Sequence, residues 1–377
     1  MRKISFIEVK EILMKIFCFL FILTFVACQF EISEKTIFKG ELSKVEKSPQ
    51  FENIIGEKIR IAEPFAGFPF VYDSLLFFTH PKYRDYSIYC ININSGRLHA
   101  KYIKKGRGPN EFRNTTPFFQ ILKNKKGESV SPFMAINEKM YGIFNLDKSI
   151  ETKQTVFDTI YKEKWDEKCL LPFTYTFSLG NNLVLARNDA AKQFGNEEKY
   201  SAPKYLKFSS NTNKPDEEYN IYNEYYNENL GELNMAALAS TDRIRPDKKK
   251  LAMAMNGVNQ LNILDIENGK LKGFLTSGSK GIEDLNKIVD KEKFPFINKC
   301  MEVDQNNIYV LNVVQQNGND NIFENLASNT VNVFDWNGNL VRRIKLSNNI
   351  EFFTMDAKRK LLYGVNTAEE AIYRFKL

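Results

Sequence analysis

Histidine is almost missing from this chain: 377 residues include two, His80 and His99. A multi-histidine metal centre is thereby excluded, and a Ser-His-Asp triad would have to be built on one of the pair. The nucleophile elbow G-x-S-x-G, the zinc motif H-E-x-x-H and the P-loop pattern do not occur. An EF-hand calcium loop and the S-x-D-x-G-x-T-W turn of sialidase propellers are absent too. No basic run exceeds Lys248 to Lys250, so nothing points to nucleic acid as a partner. No cofactor, metal or catalytic residue is expected on these grounds. Cysteine is scarce, and three of the five, Cys90, Cys169 and Cys300, are widely separated, which allows one internal bridge at most. Cys90 lies in the apolar alternation SIYCINI and is expected as a buried thiol.

Long hydrophobic runs are also lacking, with one exception. IFCFLFILTFVA, residues 16–27, follows Lys15 and is too short to span a bilayer as a permanent helix. It has the length of a signal-peptide apolar region, and it ends at Ala27-Cys28. Phe25-Val26-Ala27-Cys28 resembles a bacterial lipobox, with Phe25 where Leu is usual, so Cys28 is the candidate lipidation site. A plain secretory peptide cut near Ala27 is the alternative. MKIFC, beginning at Met14, is a more regular signal start than the charged residues ahead of it. Residues 1–27 carry four basic and two acidic residues, a net of +2 out of +7, which leaves +5 for the remainder. The expected plan is a signal peptide over 1–27, a lipidated tether and lead-in strand over 28–56, and a folded domain over 57–377.

What the chain does have is aromatic residues, 31 Phe and 17 Tyr, which favour strands. A hairpin unit recurs as SIYCININSGRLHAKYI, KMYGIFNLDKSIETKQTVF, KYLKFSSNTNK, QLNILDIENGKLKGFL and TVNVFDWNGNLVRRIKL. Its turns fall at Gly96, Ser149, Thr212, Gly269 and Gly338, and glycine there suits a positive φ. A second unit with turns at Asp73, Asn181, Asp247, Asp304 and Asp356 precedes most copies. At these turns Asp is expected to bind nearby backbone N–H groups. Together the units make four strands every 53 to 69 residues, which is a propeller blade with insertions. The predicted fold is all-β, a six-bladed β-propeller of four-stranded blades. Its last blade has only three strands of its own, so EKIRIAEPF, residues 57–65, is expected to close it.

The stretch KKGRGPNEF, Lys104 to Phe112, poses the question of function: Gly106 and Gly108 with Arg107 could cradle a phosphate, or they could simply turn the chain between blades. It is not followed by a convincing helix, and TSGSKGIEDLNK echoes it after the fourth blade, which favours the turn. With the lipobox and the blade rhythm, the segment Gly106-Arg107-Gly108-Pro109-Asn110-Glu111-Phe112 resembles one found between blades in the six-bladed, TolB-like propeller lipoproteins of Gram-negative envelopes. The resemblance implies a lipid-anchored envelope protein, on a fold that elsewhere hosts scaffolds, ligand binders and a few hydrolases or lyases.

Candidate binding residues follow from position. Arg107, Arg113, Arg243 and Arg245 are expected on inter-blade connections, where they could meet a carboxylate or phosphate at one rim, and Glu111 accompanies them. Tyr222, Tyr225 and Tyr226 crowd one inter-blade segment and are either an exposed platform or packing beneath it. His80 is expected in a solvated loop and His99 in a structural hairpin. The functional expectation is a binding or interaction module for a protein or glycan, membrane-attached through its lipid. A carboxylate-based glycan hydrolase or lyase and a structural scaffold are the alternatives.

Overall fold

The computed structural model describes residues 36–46, 48–62, 65–135, 138, 140–161, 173–188, 202–209, 215–223, 238–276, 281–283, 298–313 and 327–377. The chain divides into two units, residues 1–36 and 37–377. Apart from Thr36, every described residue belongs to the second, so Cys28, Cys169, Tyr225 and Tyr226 lie outside them.

The second unit is a ring of six blades. Three N-terminal strands come first: β1 (Glu41–Lys44), β2 (Phe51–Ile54) and β3 (Gly56–Ile59). Blade 1 is β4 (Phe68–Tyr72), β5 (Leu75–Thr79), β6 (Tyr86–Asn92) and β7 (Leu98–Lys104). Blade 2 is β8 (Leu122–Lys123), β9 (Ser129–Ala135), β10 (Met140–Asn145) and β11 (Phe157–Tyr161), with α1 (Leu146–Thr152) between the last two. Blade 3 is β12 (Phe173–Gly180), β13 (Leu183–Asn188), β14 (Lys204–Ser209) and β15 (Glu217–Asn220), and blade 4 is β16 (Ser240–Ile244), β17 (Lys250–Met255), β18 (Gln260–Asp265) and β19 (Leu271–Leu275). Blade 5 is β20 (Asn298–Val303), β21 (Asn307–Asn312), β22 (Ser328–Asp335) and β23 (Leu340–Ile350); blade 6 is β24 (Phe352–Asp356), β25 (Leu361–Asn366) and β26 (Ala371–Lys376).

Blades are stable here because each strand buries both faces, so its period of two divides the side chains between two neighbours. In β5, Leu75 and Phe77 face blade 2 while Leu76 and Phe78 face blade 6. In β17, Leu251, Met253 and Met255 join blade 3, and Ala252 and Ala254 join blade 5. Six apolar clusters result, one at every seam of the ring. A fully buried Phe contributes roughly 1.5–3 kcal/mol relative to exposure, and Phe77, Phe78, Phe133, Phe144 and Phe177 are all within 1% of complete burial. The aromatic excess is therefore seam packing. Cys90 and Cys300 are buried thiols in these seams.

The expected ring closure is present: β3 pairs antiparallel with β26, Ile372 opposite Ile59, as the outer strand of blade 6. Residues 37–54, assigned to a tether and lead-in strand from sequence, are instead part of the propeller. Phe38 bridges Tyr222 beside blade 3, β1 runs parallel to β19 and β2 parallel to β23, and Ala62 N–H bonds Gly96 O of blade 1 at 2.9 Å. This strap thus passes outside blades 3, 4, 5 and 6 in turn. Its strands use the unpaired N–H and C=O groups that an outer blade edge otherwise exposes, and sequence alternation alone does not reveal parallel pairing of so short a segment.

Turn chemistry follows the sequence reading at blades 4, 5 and 6, whereas the Asp73 carboxylate of blade 1 accepts from the Arg359 guanidinium instead. Asp304 Oδ1 accepts from Asn306 N and Asn307 N at 2.7 Å, Asp247 Oδ1 from Lys249 N at 3.0 Å, and Asp356 Oδ1 from Arg359 N at 3.0 Å. Blade 2 departs twice. The expected turn at Ser149 is α1, capped by Asn145, whose side chain accepts from Lys148 N at 3.0 Å. Its inner strand shrinks to β8, and Gln120 substitutes for backbone pairing: its amide donates to Ser178 O and accepts from Ser178 N, both at 2.9 Å.

Candidate functional site

Inner strands run in the same sense, so inter-blade connections enter at one end of the ring and the β16–β17 type of turn lies at the other. KKGRGPNEF leaves β7 at the first end, after Ile103, a β-branched residue held at φ 56° with its N–H on Thr155 Oγ1 at 2.8 Å. That is a strained conformation, costing about 1–3 kcal/mol, and the seam overrides it because the Ile103 side chain is fully buried. The loop closes through Phe112 N to Lys104 O and Glu111 N to Gly108 O, both 3.1 Å, with Asn110 in the left-handed region. Phe112 is 1% exposed and packs edge-on against Phe133 and Phe157 of blade 2, which pins the connection.

The loop does hold an anion, and the anion is its own. Glu111 accepts from Gly108 N–H at 3.1 Å, from the Arg107 backbone and from Lys104 Nζ at 2.8 Å. Lys104 first, then the Gly108 N–H, hold its carboxyl below the ordinary value. A side chain on Gly106 or Gly108 would press on that carboxylate, which explains both glycines. The backbone donors a phosphate would need are thus already engaged.

Beside this loop lies a cleft of about 490 Å³ between blades 1 and 2. Arg107, Pro109, Glu111 and Arg113 form one wall; Glu138, Met140 and Ile160 form the other. Arg113 donates through its backbone N and Nε to Glu138 Oε1 at 3.2 and 3.1 Å. Arg107 is exposed, and its guanidinium has no hydrogen-bond or ion-pair partner among the described residues. Sequence reasoning found Arg107, Glu111 and Arg113, and the fold brings these three together. It missed Glu138, Met140 and Ile160, since only blade pairing brings them to the loop.

The remaining candidates are elsewhere. Arg243 is buried near the ring centre, donating to Glu302 Oε1 at 3.1 Å and to Asp242 O at 2.9 Å, with its guanidinium 4.5 Å from the Phe119 ring. Burial is the largest single influence on it and opposes its charge, but Glu302, Tyr175 and Cys300 together raise its pKa; burial in turn raises that of Glu302 against the pull of Arg243. Next to it Asp242, fully buried, meets Arg187 at 2.9 Å, Ser240 at 2.5 Å and the Tyr205 hydroxyl. Burial is the largest influence on Asp242 and pushes its carboxyl up, in spite of these donors. Arg245 sits at the opposite end from Arg107, paired with Asp247 at 2.6 Å. Tyr222 is no platform: it is 5% exposed, rests against Phe38 of the strap and donates to Met255 Sδ. The four arginines therefore do not converge at one rim. His80 stands in a loop whose Pro81, Lys82, Arg84 and Asp85 are exposed, as expected, but is itself half-buried, with Nδ1 accepting from Lys82 N at 3.0 Å; His99 Nε2 lies 3.2 Å from Ile150 O. In the echo segment Glu283 turns outward from its loop and accepts from Ile37 N and Phe38 N at 3.0 Å, latching the strap. Among the described residues no group of three His, Cys, Asp or Glu could hold a metal ion.

No protein-family model matches this chain, and no curated protein matches it. Solved structures do. A member of the DUF4221 family from Bacteroides vulgatus is 12% identical, with a TM-score of 0.51 over 87% of this chain and 96% of that one. A Bacteroides fragilis protein described as exported is 10% identical, with a TM-score of 0.47 over 89% and 98%. The Cps50 (Swd1) β-propeller domain of Myceliophteria thermophila is 10% identical, with a TM-score of 0.37 over 85% and 100%. At such identities the likeness shows the fold alone.

Proposed function

We propose that this chain is a lipid-anchored protein of the cell envelope, akin to TolB-like propeller lipoproteins, whose propeller is a binding module with the cleft between blades 1 and 2 as its ligand site. The observation that carries the binding reading is the cleft itself: about 490 Å³, with apolar surface from Pro109, Met140 and Ile160 and an exposed Arg107 that has no partner among the described residues. Small-molecule sites run from roughly 300 to 1,000 Å³ and combine apolar walls with a few placed polar groups. Anchoring rests on the apolar run 16–27 and Cys28. The glycan-hydrolase reading gains nothing from the ring centre, where Asp242 and Glu302 each face a guanidinium. A pair of carboxyls acting on a glycosidic bond must instead face the substrate.

Two variants test the two halves separately. Cys28→Ala is expected to move the protein out of the membrane fraction, and unchanged partitioning overturns the anchor. Met140→Trp fills the cleft. Expressed at wild-type level in a deletion strain, it is expected not to complement, and full complementation overturns the assignment of the cleft.

A further inference from the structure

Resting on that assignment of the cleft, we propose that its ligand is a monoanionic amphiphile, one carboxylate carried on an apolar body. The charges around the cleft decide the anion. Lys104 is neutralised by Glu111 at 2.8 Å and Arg113 by Glu138 at 3.1 Å, which leaves Arg107 as the one uncompensated charge at the cleft among the described residues. A guanidinium matches a carboxylate through two parallel N–H···O bonds. A phosphate dianion would need further donors, and the Gly108 and Arg107 backbone N–H groups that could supply them are held by Glu111. Pro109, Met140 and Ile160 supply the apolar surface, against which a hydrocarbon or apolar side chains would lose water. A fatty acid and an N-acyl peptide acid share this chemistry.

The test is calorimetric titration of the full chain carrying Cys28→Ala with decanoate and with N-acetyl-leucyl-leucine, each beside its neutral amide, and with inorganic phosphate. At least one acid is expected to bind, and which one identifies the source. Arg107→Gln is expected to weaken that acid about 10- to 100-fold, the loss of one charge-assisted pair, and to leave the weak binding of the amide unchanged. The proposal is overturned if neither acid binds, if the amide binds as tightly as the acid, if phosphate competes for the site, or if Arg107→Gln has no effect. Met140→Trp separates the two levels. An acid lost in Met140→Trp and indifferent to Arg107→Gln refutes the charge inference and keeps the cleft; an acid indifferent to both refutes the cleft as well.

Discussion

Replacing Asp242 by alanine tests whether the carboxylates at the ring centre are structural. Asp242 is fully buried and Arg187 is 4% exposed, and the two meet at 2.9 Å. Removing the carboxylate leaves a buried guanidinium facing the neutral acceptors Ser240 O at 3.2 Å, Ser240 Oγ at 2.5 Å and Leu238 O at 3.2 Å, and takes from the Tyr205 hydroxyl the carboxylate it donates to. Breaking one partner of such a pair costs about 3–5 kcal/mol. Over the unit Ile37–Leu377, an unfolding entropy of about 2.1 cal/mol/K per residue sums to roughly 0.7 kcal/mol/K. The melting temperature should therefore fall by about 4–7 °C, read by calorimetry or by near-ultraviolet circular dichroism. The double variant Arg187→Met with Asp242→Leu removes both charges and should recover most of the loss, because an apolar replacement of a buried pair is often neutral or stabilising. A shift below about 1 °C for Asp242→Ala, or a double variant as damaged as the two singles added together, would refute this account of the centre.

Phe38→Ala tests the strap. Phe38 is 2% exposed in the seam of blades 3 and 4, so about 3–5 kcal/mol of stability should be lost in urea unfolding; a loss under about 1 kcal/mol would mean the strap merely lies on the surface. Asp85 gives a pH dependence: its hydrogen bonds from Lys101 at 2.8 Å and from Tyr89, in that order, lower its pKa to about 2. A depressed folded pKa contributes stability above the unfolded value near 4 and loses it as pH falls toward 2. Since both side chains of the ion pair are substantially exposed, Asp85→Asn should cost less than about 1 kcal/mol at pH 6, and thermal melts of variant and wild type should converge near pH 2. A constant gap across that range would contradict the assignment.

The sequence by itself determined the blade count, the strand rhythm and the closing strand. These depend on local alternation and turn chemistry, which repeat along the chain and are visible as DSLL, DQNN and ENGK. It also singled out Arg107, Glu111 and Arg113, since a glycine-rich crossing between blades leaves its charged residues at a rim. Tertiary structure decided the rest. Whether a charge is free depends on what lies across the seam: Arg107 has no partner among the described residues, Arg243 meets Glu302 from blade 5, and Arg245 is at the other end of the ring. The strap was illegible because β1 and β2 draw their stability from the edges of blades 4 and 5 more than 220 residues away. The same holds for the cleft, whose second wall comes from blade 2, and for KKGRGPNEF, where only three-dimensional folding shows that the anion in the glycine cradle is Glu111.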